Sequence, residues 1–162
     1  MIETESQENK KVKNAKKYPY NGIIFDSALE VNCYKLLLQH KLKFKYSLIT
    51  YVIIPGFRMD RVNLFHPYSR KKKYGQELTK DNLKLKILSV KYTPDFVYED
   101  NSYIIIIETK GHPNDVYPLK KKLFIKYMEE QAIALNKEIY FFEPHNIRQI
   151  VESINVIKKI LC

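Results

Sequence analysis

What this chain has little of narrows the field first. It holds two cysteines, one in a helix-like pattern (Cys33) and one at the last position (Cys162), a pair that suggests neither a disulfide framework nor a cysteine-rich zinc site. No stretch approaches the roughly 18 consecutive apolar residues of a membrane span. The start, Met1-Ile2-Glu3-Thr4-Glu5, has neither the basic segment nor the apolar stretch of a secretory leader, so a reducing cytoplasmic setting is expected. There are only four glycines and no glycine-rich phosphate loop. The histidines, His40, His66, His112 and His145, stand far apart, and no pair has the i, i+4 spacing of a helical metal site. No Ser-His-Asp or Cys-His order is suggested either. What is present is 45% hydrophobic residues in 162, enough for one domain with a real core.

The formal net charge is +10, and its location matters more than its size. Between Lys41 and Lys91 there are 13 Lys or Arg against 3 Asp or Glu, and the rest of the chain carries 15 of each sign. An imbalance confined to one segment points to a polyanionic partner. Nucleic acid leads over an anionic membrane, because no basic amphipathic helix accompanies the charge. The densest run, Arg70-Lys71-Lys72-Lys73, is interleaved with Leu64, Phe65, Tyr68 and Tyr74, which suits either DNA contact or a merely solvated loop. Lys120, Lys121, Lys122 and Lys126 crowd the first turns of a later helix against its dipole, and again phosphate binding and plain solvation both fit.

Taken in order, residues 1–17 are polar, acidic and then basic, and read as an arm that Tyr18-Pro19-Tyr20-Asn21-Gly22 turns into the domain. The expected division is an arm over 1–22 and a single domain over 23–162, with a basic insertion at about 57–90. From Ser27 to about His40, Leu29, Cys33, Leu36 and Leu37 recur at helical spacing, with Asp26 or Ser27 as cap. Lys43 to Ile54 reads as one or two strands stopped by Pro55-Gly56, and the insertion as a partial strand pair or a loop over the active face. Tyr92 to Phe96 and Tyr103 to Ile107 bound two strand-like runs joined by Asp100-Asn101-Ser102, suitable hairpin chemistry. Pro118 opens a helix with the stripe Leu119, Leu123, Phe124, Tyr127, Met128, Ala132 and Leu135. Glu138 to Phe142 is a strand, and a last helix carries Ile147, Ile150, Val151, Ile154, Ile157 and Leu161. This order fits an α/β fold, a mixed sheet flanked by helices on both faces.

The chemistry concentrates in the hairpin. Antiparallel pairing would bring Asp95, Glu108 and Lys110 to one end of the sheet, two oxygen donors for a hard divalent cation with an ammonium beside them. Such a set suits hydrolysis of a phosphodiester. Glu30, near the start of the first helix, fits a Ser-x-x-Glu capping box with Ser27, in which its carboxylate returns to the cap amide.

The stretches Tyr92-Thr93-Pro94-Asp95-Phe96 and Glu108-Thr109-Lys110-Gly111 together resemble the Pro-Asp…(Asp/Glu)-x-Lys signature of the PD-(D/E)XK, restriction-endonuclease-like nucleases. The likeness is closer to the phage endonuclease I type of Holliday-junction resolvase, over roughly residues 23–45 and 92–128. It implies a restriction-endonuclease-like fold. It also implies a magnesium-dependent endonuclease, with manganese as a substitute, two ions per site and no small-molecule cofactor. In that family the Glu of Phe25-Asp26-Ser27-Ala28-Leu29-Glu30 completes the metal-binding acids, so Glu30 has a second candidate role beside the cap. Asp95, Glu108 and the Thr109 carbonyl are the other candidate ligands, and Lys110 stabilises charge, orients water or accepts a proton. The resemblance further implies branched DNA as substrate, a homodimer for two coordinated incisions, and the host cell's cytoplasm if the chain is phage-encoded. Alternatives are a nuclease of the same fold acting on duplex or single strands, and a DNA-binding module without catalysis. The spacing between Glu30 and Pro94 is longer than in the endonuclease I pattern because of the insertion.

Overall fold

The computed structural model describes residues 16–59, 61, 86–111 and 116–162. The run Arg70-Lys71-Lys72-Lys73 with its aromatic neighbours, the arm up to residue 15, His66 and His112 lie outside the described residues. Tyr18–Tyr20 (β1) and Ile23–Phe25 (β2) pair antiparallel across Asn21 and Gly22, whose φ values of 50° and 75° are those of the Asn-Gly hairpin turn. Tyr18 packs against the core, so the fold takes in residues 18–22, which the expected division groups with the arm. Ser27 then caps α1 (Ala28–Gln39), its Oγ accepting from the Glu30 amide at 3.1 Å. Of the expected stripe the helix buries Cys33 and Leu37, with Leu29 and Leu36 partly buried against the same core, and it buries Val31 and Glu30 as well.

Two chain segments next run antiparallel as three successive pairs. Lys45–Tyr46 (β3) meets Phe96–Glu99 (β8), Tyr51–Ile54 (β4) meets Val90–Tyr92 (β7), and Phe57–Arg58 (β5) meets Lys86–Ile87 (β6). Tyr46 stands opposite Phe96, Tyr51 opposite Tyr92, Ile54 opposite Val90 and Phe57 opposite Ile87. The register therefore slips by one residue twice, each time with the extra residue on the first segment. Such slips bend and twist a ribbon and re-aim its side chains. One lies between Val52 and Ile54; the other is around Ser47, which has φ 47° and donates its amide to the Asp95 carbonyl at 2.7 Å. The expected strand pair at the borders of the insertion is thus present as β5 and β6.

The main sheet has the order β10-β9-β8-β3, with Glu138–Phe142 (β10) parallel to Tyr103–Ile107 (β9) and the other pairs antiparallel. Asp100 makes the hairpin turn: its Oδ1 accepts from the Ser102 and Tyr103 amides, both at 2.8 Å. Side chains alternate along the strands. Phe96, Ile105 and Ile107 pack in one cluster with Cys33 and Leu37 of α1 and with Ile150, Ile154 and Ile157 of α3 (Ile147–Ile160). Val97, Ile104 and Ile106 pack on the other face with Tyr117, Phe124 and Met128 of α2 (Tyr117–Leu135) and with Tyr92, whose ring stacks on Phe124 at 4.1 Å. The result is the expected mixed α/β arrangement with helices on both faces of the sheet. Two stripes differ from expectation. Leu119 and Leu135 of α2 and Ile147 and Val151 of α3 are exposed, and on α2 Tyr117 is buried instead. The reason is that α2 meets the sheet along the line Tyr117, Phe124, Met128, from which Leu119 is turned away by the 100° step per residue.

Candidate functional site

The last rung of the β8–β9 ladder, Phe96 opposite Ile107, fixes the site. Asp95 and Glu108 are the next residues outward on the two strands, so they leave the ladder at the same end. The slip at Ser47 frees Asp95 from strand geometry there. On the other strand the backbone is held by the end of β10 and the turn after it, with the Glu108 amide donating to the Phe142 carbonyl at 2.9 Å and the Lys110 amide to the Pro144 carbonyl at 3.0 Å. Asp95 Oδ2 accepts from both the amide and the hydroxyl of Thr109, each at 2.7 Å. Glu108 Oε2 accepts from the Asp95 amide at 3.3 Å, and Lys110 Nζ donates to Glu108 Oε1 at 3.0 Å. Asp95, Glu108, Thr109 and Lys110 are therefore one constellation.

Its electrostatics are those of two acids forced together. Burial, then Glu108, then Glu30 push the Asp95 carboxyl up to about 8, against the pull of its two bonds from Thr109. Glu108 is raised as well, by burial, with the Lys110 ammonium opposing. Beneath them the buried Tyr92 phenol is held above its usual range by burial and by the charge of Glu108. Two crowded, largely desolvated carboxylates offer oxygen donors, the ligand type that a hard divalent cation takes and would neutralise. In that chemistry Asp95 and Glu108 suit such an ion.

Glu30 is placed differently. Its Oε2 accepts from the Tyr46 hydroxyl at 2.6 Å and from the Asp26 amide at 3.0 Å, so the capping box closes one residue before the cap, not on Ser27 itself. Asp95 feels its charge, but the carboxylate is turned to the cap and to Tyr46. Among the described residues no three His, Cys, Asp or Glu side chains stand close enough to share one ion. Of the α2 lysines, Lys121 pairs with Glu143 at 2.5 Å, while Lys122 and Lys126 lie in solvent and Lys120 is half-buried. Four residues at or beside the site were given no role by sequence reasoning: Tyr46, Tyr92, Tyr117 and Glu143. Tyr92 adjoins the motif and had a local signal. The other three come from distant segments and had none.

The family model described as Protein of unknown function (DUF1064) matches residues 10–140. The chain belongs to this family. The matched span contains Glu30, Asp95, Glu108, Thr109 and Lys110, and ends within β10, so α3 lies beyond it. No curated protein and no solved structure gave a match.

Proposed function

We propose that this chain is a divalent-cation-dependent endodeoxyribonuclease of the restriction-endonuclease-like type, with branched DNA such as a four-way junction as substrate. The observation that carries the reading is the contact of Lys110 with Glu108 and of Glu108 with the Asp95 backbone at the open end of one hairpin. Tyr92-Thr93-Pro94-Asp95-Phe96 and Glu108-Thr109-Lys110-Gly111 supply the resemblance, and the basic segment between Lys41 and Lys91 supplies the affinity for a polyanion.

A phosphodiester resists attack because its own charge repels nucleophiles, so a catalyst must neutralise charge and place water in line with the leaving oxygen. Magnesium, or manganese in its place, would be held by Asp95, Glu108 and the Thr109 carbonyl, and supplies Lewis acidity and an acidified water. Glu30 joins that set, for a second ion, only on leaving Tyr46. Thr109 orients Asp95 through its two bonds, and the Pro144 and Phe142 carbonyls hold the strand that presents Glu108 and Lys110. Lys110, held beside Glu108, stabilises the charge that builds on the phosphate oxygens. Cutting both sides of a junction needs two sites, which implies a homodimer.

The test is a cleavage assay in magnesium, manganese and chelator, with a four-way junction and its linear arms, for the wild type and Asp95→Asn. Selective cutting of the junction, lost in Asp95→Asn while DNA affinity is kept or improved, is expected. Equal cutting of linear arms would replace junction selectivity with a general nuclease, and binding without cutting would leave a DNA-binding module.

A further inference from the structure

Tyr117 opens α2 with its side chain buried, and its hydroxyl donates to Glu143 Oε2 at 2.6 Å. Glu143 directly follows β10, in the same turn whose neighbouring carbonyls, Phe142 and Pro144, hold the strand carrying Glu108 and Lys110. Two more groups converge on that carboxylate: Lys121 Nζ at 2.5 Å and His145 Nε2 at 3.2 Å. On the other side of the Tyr117 ring stands Lys110, its Nζ 4.1 Å from the ring centre and 3.0 Å from Glu108 Oε1.

An ammonium on a flexible four-carbon stem has three N–H directions and ordinarily wanders. Here one N–H is committed to Glu108, and the ring face attracts the cation from a second side. A carboxylate in place of the ring would draw the ammonium away from a phosphate, and open water would leave it loose. An aromatic face does neither, because it holds the cation without offering a strong hydrogen-bond acceptor. Among the described residues no further acceptor meets Lys110 Nζ, which leaves its third N–H direction for an anionic oxygen. Core packing of Tyr117 would require none of the polar groups that fix its hydroxyl.

We infer that Tyr117, locked by Glu143, is a positioning residue that aims the Lys110 ammonium at the scissile phosphate. This deepens the nuclease reading and rests on it. Tyr117→Leu removes the ring, Tyr117→Phe keeps the ring and loses the lock, and Glu143→Gln keeps ring and hydroxyl while weakening the lock together with the Lys121 and His145 pairs. With the junction substrate in magnesium, Tyr117→Leu lowers kcat by about 3- to 30-fold, the range of a partly desolvated cation–π contact, with KM within about twofold. Tyr117→Phe and Glu143→Gln recover most of that loss, and melting temperatures do not follow the order of kcat. A purely structural role would instead move stability and rate together.

A second readout does not use activity. The ε-methylene protons of Lys110 carry an upfield ring-current shift in the wild type, kept in Tyr117→Phe and lost in Tyr117→Leu. Wild-type rates in Tyr117→Leu, equal losses in Tyr117→Leu and Tyr117→Phe, or an unshifted Lys110 in the wild type would each overturn the inference. If the wild type cuts no DNA the nuclease reading fails, and the Lys110 shift alone decides whether Tyr117 places the ammonium.

Discussion

A carboxyl group pressed against a second carboxylate and shielded from water holds its proton far longer than a free one, and Asp95 is in that position. Its folded-state value is raised from 3.8 to about 8, by burial before the charges of Glu108 and Glu30. The folded protein then keeps a proton that the unfolded chain has already released. By linkage, this group's contribution to stability is full below about pH 4 and is lost as pH rises through about 8. Without divalent cation, the melting temperature should fall across that window, and Asp95→Asn should flatten the fall and melt higher than the wild type at the alkaline end. Magnesium should raise the wild-type melting temperature at alkaline pH and leave Asp95→Asn nearly unmoved. Calorimetry across pH, with and without magnesium, checks both statements. A flat wild-type profile would show that the two acids do not compete for protons. Much of this pair was legible beforehand, because the acids sit at matching ends of two apolar runs joined by a turn. That Glu30 faces Tyr46 was not, since a capping box and a ligand role share the same Ser-x-x-Glu pattern.

The elements make separate demands. Ser27 caps α1 through the Glu30 amide, so Ser27→Ala should cost about 1 kcal/mol in chemical denaturation while leaving Asp95 and Glu108 in place. A loss of metal response in Ser27→Ala would mean that the cap, and not only Glu30, shapes the site. The ribbon poses the opposite problem. Arg58 stands directly across from Lys86 at its far end, both exposed, and like charges so placed destabilise the pair. Lys86→Glu should therefore stabilise the ribbon by about 0.2–1 kcal/mol, read as slower amide exchange in β5 and β6. In the proposed nuclease the same change should weaken DNA binding; unchanged affinity would place the duplex elsewhere. Asn21-Gly22 shows what local reading passes over. It is a strong hairpin signal, but it was grouped with the polar arm before it, and the partly buried Tyr18 together with the Tyr20 ring against Tyr34 ties it to the core. The α2 stripe erred for a related reason: helical spacing identifies a set of apolar residues, and the sheet selects which line among them it touches.

For the molecule as a whole, the excess charge lies in one segment, so the DNA affinity of the proposed nuclease should fall linearly in log salt. The slope should diminish by about 0.9 for each phosphate-contacting cation removed from a duplex-binding surface. Titrations of Asp95→Asn in several salt concentrations, with Lys86 and Arg58 changed singly, measure it. A slope that ignores those changes would separate the ribbon from the interface. Sequence alone determined the helices α1, α2 and α3, the hairpin that brings Asp95 to Glu108 and Lys110, and the concentration of positive charge. Each of these follows from short-range periodicity, turn chemistry or residue counts, which no long-range contact can alter. Tertiary structure alone decided that Tyr46 holds Glu30, that α2 delivers Tyr117 to Lys110, and that the end of β10 brings Glu143 to Tyr117. Those meetings depend on strand order, register slips and the angle at which a helix crosses the sheet, and no local pattern encodes the product of the three.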